Sequence, residues 1–429
     1  MATLTTAHSG TTSPAVLRAD FPLLSQTVNG HPLVYLDSAA TAQRPQVVLD
    51  AELEFLEKRN AAVHRGAHTL AAEATEEFEG AREAVARFVG ARADEIAWQS
   101  NATDALNTIA FAIGTASRGR GGESARRFAL QPGDELVVTE AEHHANLIPW
   151  QELAAQTGAV LRYVPVDHDG LWTIDGLRAV VTEKTRLIAF AHVSNVTGMV
   201  APVSEVVGLA ASVGALTVLD ACQSAPHRPL ELGRLGVDFA AFSAHKMLGP
   251  TGLGVLYGKR ELLNALPPGR TGGSMITTVT MDHAEFLPAP QRFEAGTQPV
   301  SQAVGLGAAV GYLTAAGVPS ILEHEHALAA RLYEGLSSIP GLRLIGPGAG
   351  VERAGLVSFD VAGVHAHDAG QYLDARGIAV RVGHHCAQPL HRRLGLTASV
   401  RASVYLYNTT DDVDVFLEAA AGIRPYFGL

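Results

Sequence analysis

At 429 residues and 45.0 kDa, the chain has material for two or three domains and a sizeable core. It is 47% hydrophobic and 17% charged with a net charge of −11, and its basic residues cluster only in the mixed stretch 117–127, so nucleic acid is a poor partner. Two cysteines cannot build a disulfide framework, no C-x-x-C zinc pattern exists, and no apolar run approaches the ~18 residues of a membrane span. A reducing, cytoplasmic setting away from membranes is expected.

Residues 1–17 are Ser/Thr-rich without an apolar signal core and read as a disordered tail. VYLD (34–37) is strand-like and runs into the small-residue turn SAATAQRP. Ala74, Phe78, Ala81, Val85 and Phe88 recur at spacings of four and three, predicting an amphipathic helix over 72–89 with Gly90 as its stop. WQSNATDALNTIAFAIG (98–114) reads as strand, polar turn and helix. A helix start offers backbone N–H groups and a favourable dipole to a phosphate, with Thr103 adding a hydroxyl. The stretch SRGRGGESARR (117–127) reads as a solvated insertion loop.

Apolar strands then alternate with helix-length intervals: ELVVTE (135–140), RLIAFAHVSN (186–195), LTVLDA (216–221), DFAAFSA (238–244) and GVLYG (254–258). This pattern predicts an α/β fold, with a mostly parallel sheet covered by helices on both faces. Ligands of such sheets collect at the carboxyl ends of the strands, where Asn195, Asp220, Ser243 and Lys246 fall. Residues 265–297 read as a long structured excursion. From about 300 a helix (302–316) leads into a smaller α+β unit with VSFDVAG (357–363), GIAVRVG (377–383) and a final helix near 410–422. The division expected is a large domain over 18–300 and a small one over 301–429.

The chemistry sits in these strand ends. Lys246, after an apolar strand and before a glycine turn, has the setting of a lysine that holds pyridoxal 5'-phosphate (PLP) as a Schiff base and moves the Cα proton. Asp220 would pair with the ring N–H, and Gln223 with the ring's phenolic oxygen. Ser243 and His245 join Thr103 as phosphate donors. AEHHANLIPW (141–150) places His143 and His144 at a strand end, and either imidazole suits stacking on the ring and proton transfer. No carboxylate or cysteine completes a zinc set there, so no metal is expected. In RVGHHCAQP (381–389), Cys386 lies beside His384 and His385 in a polar, glycine-flanked setting that suits a nucleophilic thiolate. Cys222, at an apolar strand end, reads as an inert core residue. Arg401 offers a bidentate fork for a substrate α-carboxylate.

Taken together, YLDSAAT, AAVHRGAH (61–68), EHHANLIPWQ, HVSNVTG (192–198), the Lys246 segment, GGSMI (272–276), RFEAGT (292–297) and RVGHHCAQP resemble the Suf-type (group II) cysteine desulfurases. These are fold-type I PLP enzymes of the class V aminotransferase family, and the likeness is strongest to actinobacterial members. The resemblance spans nearly the whole chain. It implies a seven-stranded-type large sheet and selects His143 as the ring-stacking histidine. It gives Asn195 and Arg401, with Arg381 nearby, to the substrate carboxylate. It also implies that Thr297 reaches the phosphate of a neighbouring subunit, hence a homodimer. The implied activity converts L-cysteine to L-alanine with a persulfide on Cys386, for iron–sulfur cluster assembly. Selenocysteine lyase and a class V aminotransferase are the alternatives on the same scaffold.

About twenty residues separate Arg381 from Arg401, a short nucleophile loop that resembles group II members and implies a dedicated sulfur acceptor. The acceptor implied is a zinc-containing U-type or an E-type protein, with His367 in VHAHDAG (364–370) as a meeting point. Two departures stand out: SNATD replaces the family's frequent Gly-Thr-Thr-Glu, so Ala102 offers no hydroxyl, and SAHK replaces SGHK.

Overall fold

A computed structural model describes residues 17–429, so all but the last residue of the expected N-terminal tail lies outside the described residues. Strands are numbered here within the two larger sheets. The first holds β1 (Ile96–Gln99), β2 (Glu135–Thr139), β3 (Val160–Val164), β4 (Thr185–Ala191), β5 (Leu216–Asp220), β6 (Phe239–Ser243) and β7 (Gly254–Gly258), in the order β1-β7-β6-β5-β4-β2-β3. From β6 to β3 every pair is parallel, whereas β7 is antiparallel to both β6 and β1. The connection 244–253 explains the reversal: it is shorter than the dozen or more residues of a parallel crossover.

The strands read as continuous apolar runs because both faces are covered. Alternate residues enter different cores. Val137, Leu219, Ala240 and Phe242 pack into one with the helices Thr69–Phe88 and Val300–Ala316. Leu136, Val138, Val218, Phe239 and Ala241 pack into the other, with the helix Ala102–Ser117.

The second sheet holds β8 (Leu342–Ile345), β9 (Leu356–Val361), β10 (Arg381–Gly383) and β11 (Ser399–Ser403), antiparallel in the order β8-β9-β11-β10. GIAVRVG is not one strand but two. Ile378–Ala379 pairs in parallel with Val34–Tyr35 from the far N-terminal side, and only Arg381–Gly383 joins the sheet as β10.

The stretch 117–127 is also more than a solvated loop. A 3-10 turn over Glu123–Phe128 buries Ala125 and Phe128 against the core while Arg126 pairs with Glu123 outside. The excursion 265–297 contains the exposed hairpin Ile276–Val279/Ala284–Phe286. Among the described residues no single helix is long and apolar enough to cross a membrane.

Candidate active site

The parallel strands β4, β5 and β6 end at a cavity of about 350 Å³. Asn195 follows β4, Asp220 ends β5, and Ser243 ends β6 with Lys246 in the turn after it. From the β1 side comes the start of helix Ala102–Ser117; from β2, His143; from the second sheet, Arg381, Arg401 and the Cys386 turn. The sequence-derived site residues line this one cavity except His144 and His384, whose rings pack against each other outside its lining, and Thr297 and His367, which are exposed elsewhere.

Asp220 is buried, and its Oδ1 accepts the Cys222 N–H at 3.0 Å. Gln223 donates its amide N–H to the Ala39 carbonyl (2.7 Å), tying the N-terminal segment over the cavity. Cys222 is a wall of the cavity as well as a core residue, and burial and Asp220 push its thiol far above the usual range. It stays a protonated, inert thiol.

At the helix start, the cap is Asn101, whose side chain accepts the Asp104 N–H at 2.9 Å, which leaves the Thr103 hydroxyl uncommitted to capping. Ser243 Oγ accepts the Ala102 N–H (2.9 Å), so its own O–H remains a donor toward the cavity. Gly254 opens β7 where any Cβ would collide with the Asn101 backbone, and this close approach brings the helix start to the strand end. His245 is pulled down to about 4 by burial and Lys246, and is neutral near pH 7.

His143 is likewise pulled down to about 4, first by burial. Its Nδ1 accepts the Ala145 N–H (3.1 Å), so the neutral ring carries its proton on Nε2. Beneath it Glu142, pushed up to about 7 by burial, bonds Thr139 and Asn146 and braces the turn.

Arg401 is buried; Nη1 donates to the Asn195 carbonyl (2.8 Å) and Nη2 to Asp37 Oδ1 (3.3 Å). Arg381 stands directly opposite it on β10. Two like charges face to face repel, and Asp37 lies beside them; burial raises its carboxyl above the usual range, and the two arginines offset that only in part. Asp37 was not singled out from the sequence. The motif YLDSAAT shows a carboxylate at a strand end, but not the distant arginines it meets.

The Asn195 side chain is also not free: its Nδ2 donates to the His385 carbonyl at 2.8 Å. His385 Nε2 and His391 Nε2 share Ser399 Oγ, each at 3.0 Å, and burial drives His385 down to about 2.

These donors fit PLP by their chemistry. They comprise an amine for the aldehyde (Lys246), a carboxylate for the ring nitrogen (Asp220), and a helix start with hydroxyls for the phosphate (Thr103, Ser243), all around one cavity.

The Aminotransferase class-V family matches residues 34–416. "Probable cysteine desulfurase 2" of Mycobacterium leprae is 55% identical over 416 residues, covering 96% of this chain and 97% of that one. "Probable cysteine desulfurase" of Streptomyces coelicolor is 48% identical over 414 residues, at 96% and 97% coverage. Among solved structures, the apo cysteine desulfurase of Thermococcus onnurineus superimposes with a TM-score of 0.90 at 36% identity, covering 98% of this chain and 100% of that one. An Escherichia coli cysteine desulfurase in its S-sulfonic acid form gives 0.86 at 38% identity, over 97% and 100%. With a strand-end lysine and aspartate in one cavity and the family pattern running over most of its length, the chain belongs to the class-V aminotransferase family, among its cysteine desulfurases.

Proposed function

We propose that this chain converts L-cysteine to L-alanine and places the released sulfur as a persulfide on Cys386. The observation that carries the reading is the meeting, in one cavity, of Lys246 and Asp220 with a cysteine on a tight turn from another sheet. Transamination alone would have no use for that thiol.

PLP, when bound, supplies an electron sink for the charge left at the substrate Cα. Lys246, Asp220, Thr103, Ser243, His245 and Gln223 are the residues that would hold it. Arg401 and Arg381, with Asn195, orient the substrate α-carboxylate. Lys246 Nζ takes the Cα proton and returns a proton as alanine forms. His143, neutral with its proton on Nε2, serves as the second proton carrier. Cys386 Sγ, as thiolate, attacks the substrate sulfur. The substrate C–S bond breaks as the S–S bond forms, so cysteine and the Cys386 thiol become alanine and a Cys386 persulfide.

The two-unit division at about residue 300 suits this scheme, with the large unit holding the cofactor and the small one the nucleophile. Thr297, exposed and away from its own cavity, is assigned to the phosphate of a second copy in a homodimer. The short Arg381–Arg401 interval supports a group II, Suf-system role in the cytoplasm. There the persulfide passes to a U-type or E-type acceptor protein for iron–sulfur cluster assembly. His367 is exposed at the start of the helix Ala366–Asp374, which packs on β10 leading into the Cys386 turn.

The test is quantitation of alanine and protein persulfide after L-cysteine addition to the holoenzyme and to Cys386→Ala. Equal amounts of both products in the parent and a loss of persulfide in the variant are expected. Full sulfur transfer by Cys386→Ala would overturn the nucleophile assignment, and a strong preference for selenocysteine would move the reading to a selenocysteine lyase.

A further inference from the structure

The turn that carries Cys386 adopts a costly backbone. His385 and Cys386 both lie in the left-handed region, at φ 48° and 57°. A non-glycine residue in that region is sterically strained and persists only where the surroundings over-determine it. Two restraints are internal to the second sheet and its approach to β4: Ser399 Oγ on His385 Nε2, and Asn195 Nδ2 on the His385 carbonyl. The third comes from the turn after β2. His144 donates its backbone N–H to the Cys386 carbonyl at 2.7 Å, and its Nε2 accepts the Gln388 N–H at 3.1 Å. One residue thus grips the turn at Cys386 itself and again two residues downstream. The His144 ring also packs against the His384 ring, with centroids 5.8 Å apart, and Gln388 reaches His384 at 3.3 Å.

The geometry points to His144 as a positioning residue for Cys386: its ring, through Nε2, holds the Gln388 N–H and keeps the thiol at the cavity. The inference rests on Cys386 being the nucleophile. Accepting that N–H requires a neutral ring protonated on Nδ1. Burial and the neighbouring His384 favour this form by lowering the affinity of His144 for a second proton. Adjacent histidines then divide the work, with His143 facing the cavity and His144 facing the nucleophile turn.

The experiment compares the holoenzyme with His144→Phe, which keeps a ring but has no acceptor, and His144→Gln, whose Oε1 restores one. Two quantities are read: the rate of iodoacetamide alkylation at Cys386, by peptide mass spectrometry, and alanine formed in a single turnover. In His144→Phe, alkylation is expected to rise and the single-turnover rate to fall, each by about fivefold, the effect of one hydrogen bond. The cofactor absorbance band and KM for L-cysteine should stay as in the parent. His144→Gln should reverse most of both changes. If His144→Phe does not bind cofactor, His144→Ala takes its place in the same comparison. Alkylation and turnover equal to the parent in the acceptor-free variant, or a Gln variant no better than it, would overturn the inference. Persulfide retained in Cys386→Ala would instead overturn the nucleophile assignment, so the two failures are distinguishable.

Discussion

His385 and His192 are buried (3% and 7% exposed) and titrate near 2 and 3, because enclosure disfavours their charged forms. In the unfolded chain each binds a proton near 6.5, whereas the native protein refuses it until about 3 or below. The unfolded state therefore holds more protons across that interval, and stability rises with pH within it. Once the unfolded imidazoles are fully protonated, each histidine contributes a slope of about 1.4 kcal/mol per pH unit. Glu142 opposes them. Its native carboxyl keeps a proton from 4.5 up to about 7 after the unfolded one has lost it, so its contribution falls as pH rises there. Unfolding free energy from urea titrations should consequently drop most steeply below pH 4.5, where Glu142 no longer offsets the histidines. His192→Gln should flatten that limb by about one proton; an unchanged slope would contradict the assignment. At this scale the sequence was most legible in placement, since Lys246 and Asp220 do meet at one cavity at the strand ends. It was least legible where a residue acts through a distant backbone, as with Asp37 on Arg401 or Asn195 on the His385 carbonyl.

β1 is an edge strand, pairing with β7 on one side only. Its other side is closed by side chains rather than by another strand. Glu294 accepts the Trp98 N–H at 2.7 Å, and Arg82 donates to the Ile96 carbonyl at 2.8 Å. Arg82 and Glu294 also pair with each other, both almost fully buried, which pins the helix Thr69–Phe88 to the segment leading to Thr297. This arrangement denies the exposed ladder to another chain. Removing Glu294 leaves the buried Arg82 with only the part-exposed Glu79 as its ion-pair partner, so Glu294→Ala is expected to cost less than the loss of a sole buried partner, about 2–3 kcal/mol in denaturant unfolding. Arg82→Leu combined with Glu294→Leu should cost less than the sum of the two single changes; strict additivity would show that the pair is not coupled. The elements themselves were read well where both faces are buried, since β2, β4, β5, β6 and β7 are unbroken apolar runs. β3 went unread because VLRYV is a half-exposed edge strand with a mixed pattern. GIAVRVG looked like a single strand because propensity cannot show that its halves pair with different partners.

Across the whole molecule, the cavity needs both sheets: the large one brings Lys246 and Asp220, and the small one brings Arg401 and Cys386. The small sheet's helix Ala366–Asp374 presents His367, 3.2 Å from Gln371, as the residue proposed to meet an acceptor. His367→Ala is expected to lower acceptor-stimulated turnover several-fold while leaving the unstimulated rate as it was. Unchanged stimulation in steady-state assays with a zinc-containing U-type protein and with an E-type protein would exclude His367 from docking. Sequence spacing separated the strands of the two sheets, but it did not show that Val34–Tyr35 pairs with Ile378–Ala379.

That closure has a consequence for synthesis. Val34–Tyr35 finds its strand partner only at Ile378–Ala379, and Arg18 meets Asp412 later still. All seven strands of the large sheet have left the ribosome well before either partner exists. At translation rates of roughly 5–20 residues per second, Val34–Tyr35 waits on the order of tens of seconds for its strand partner. The strand pairing of Val34–Tyr35 is thus among the last contacts that can form, whereas Ala39, farther along the same segment, has its Gln223 partner far earlier.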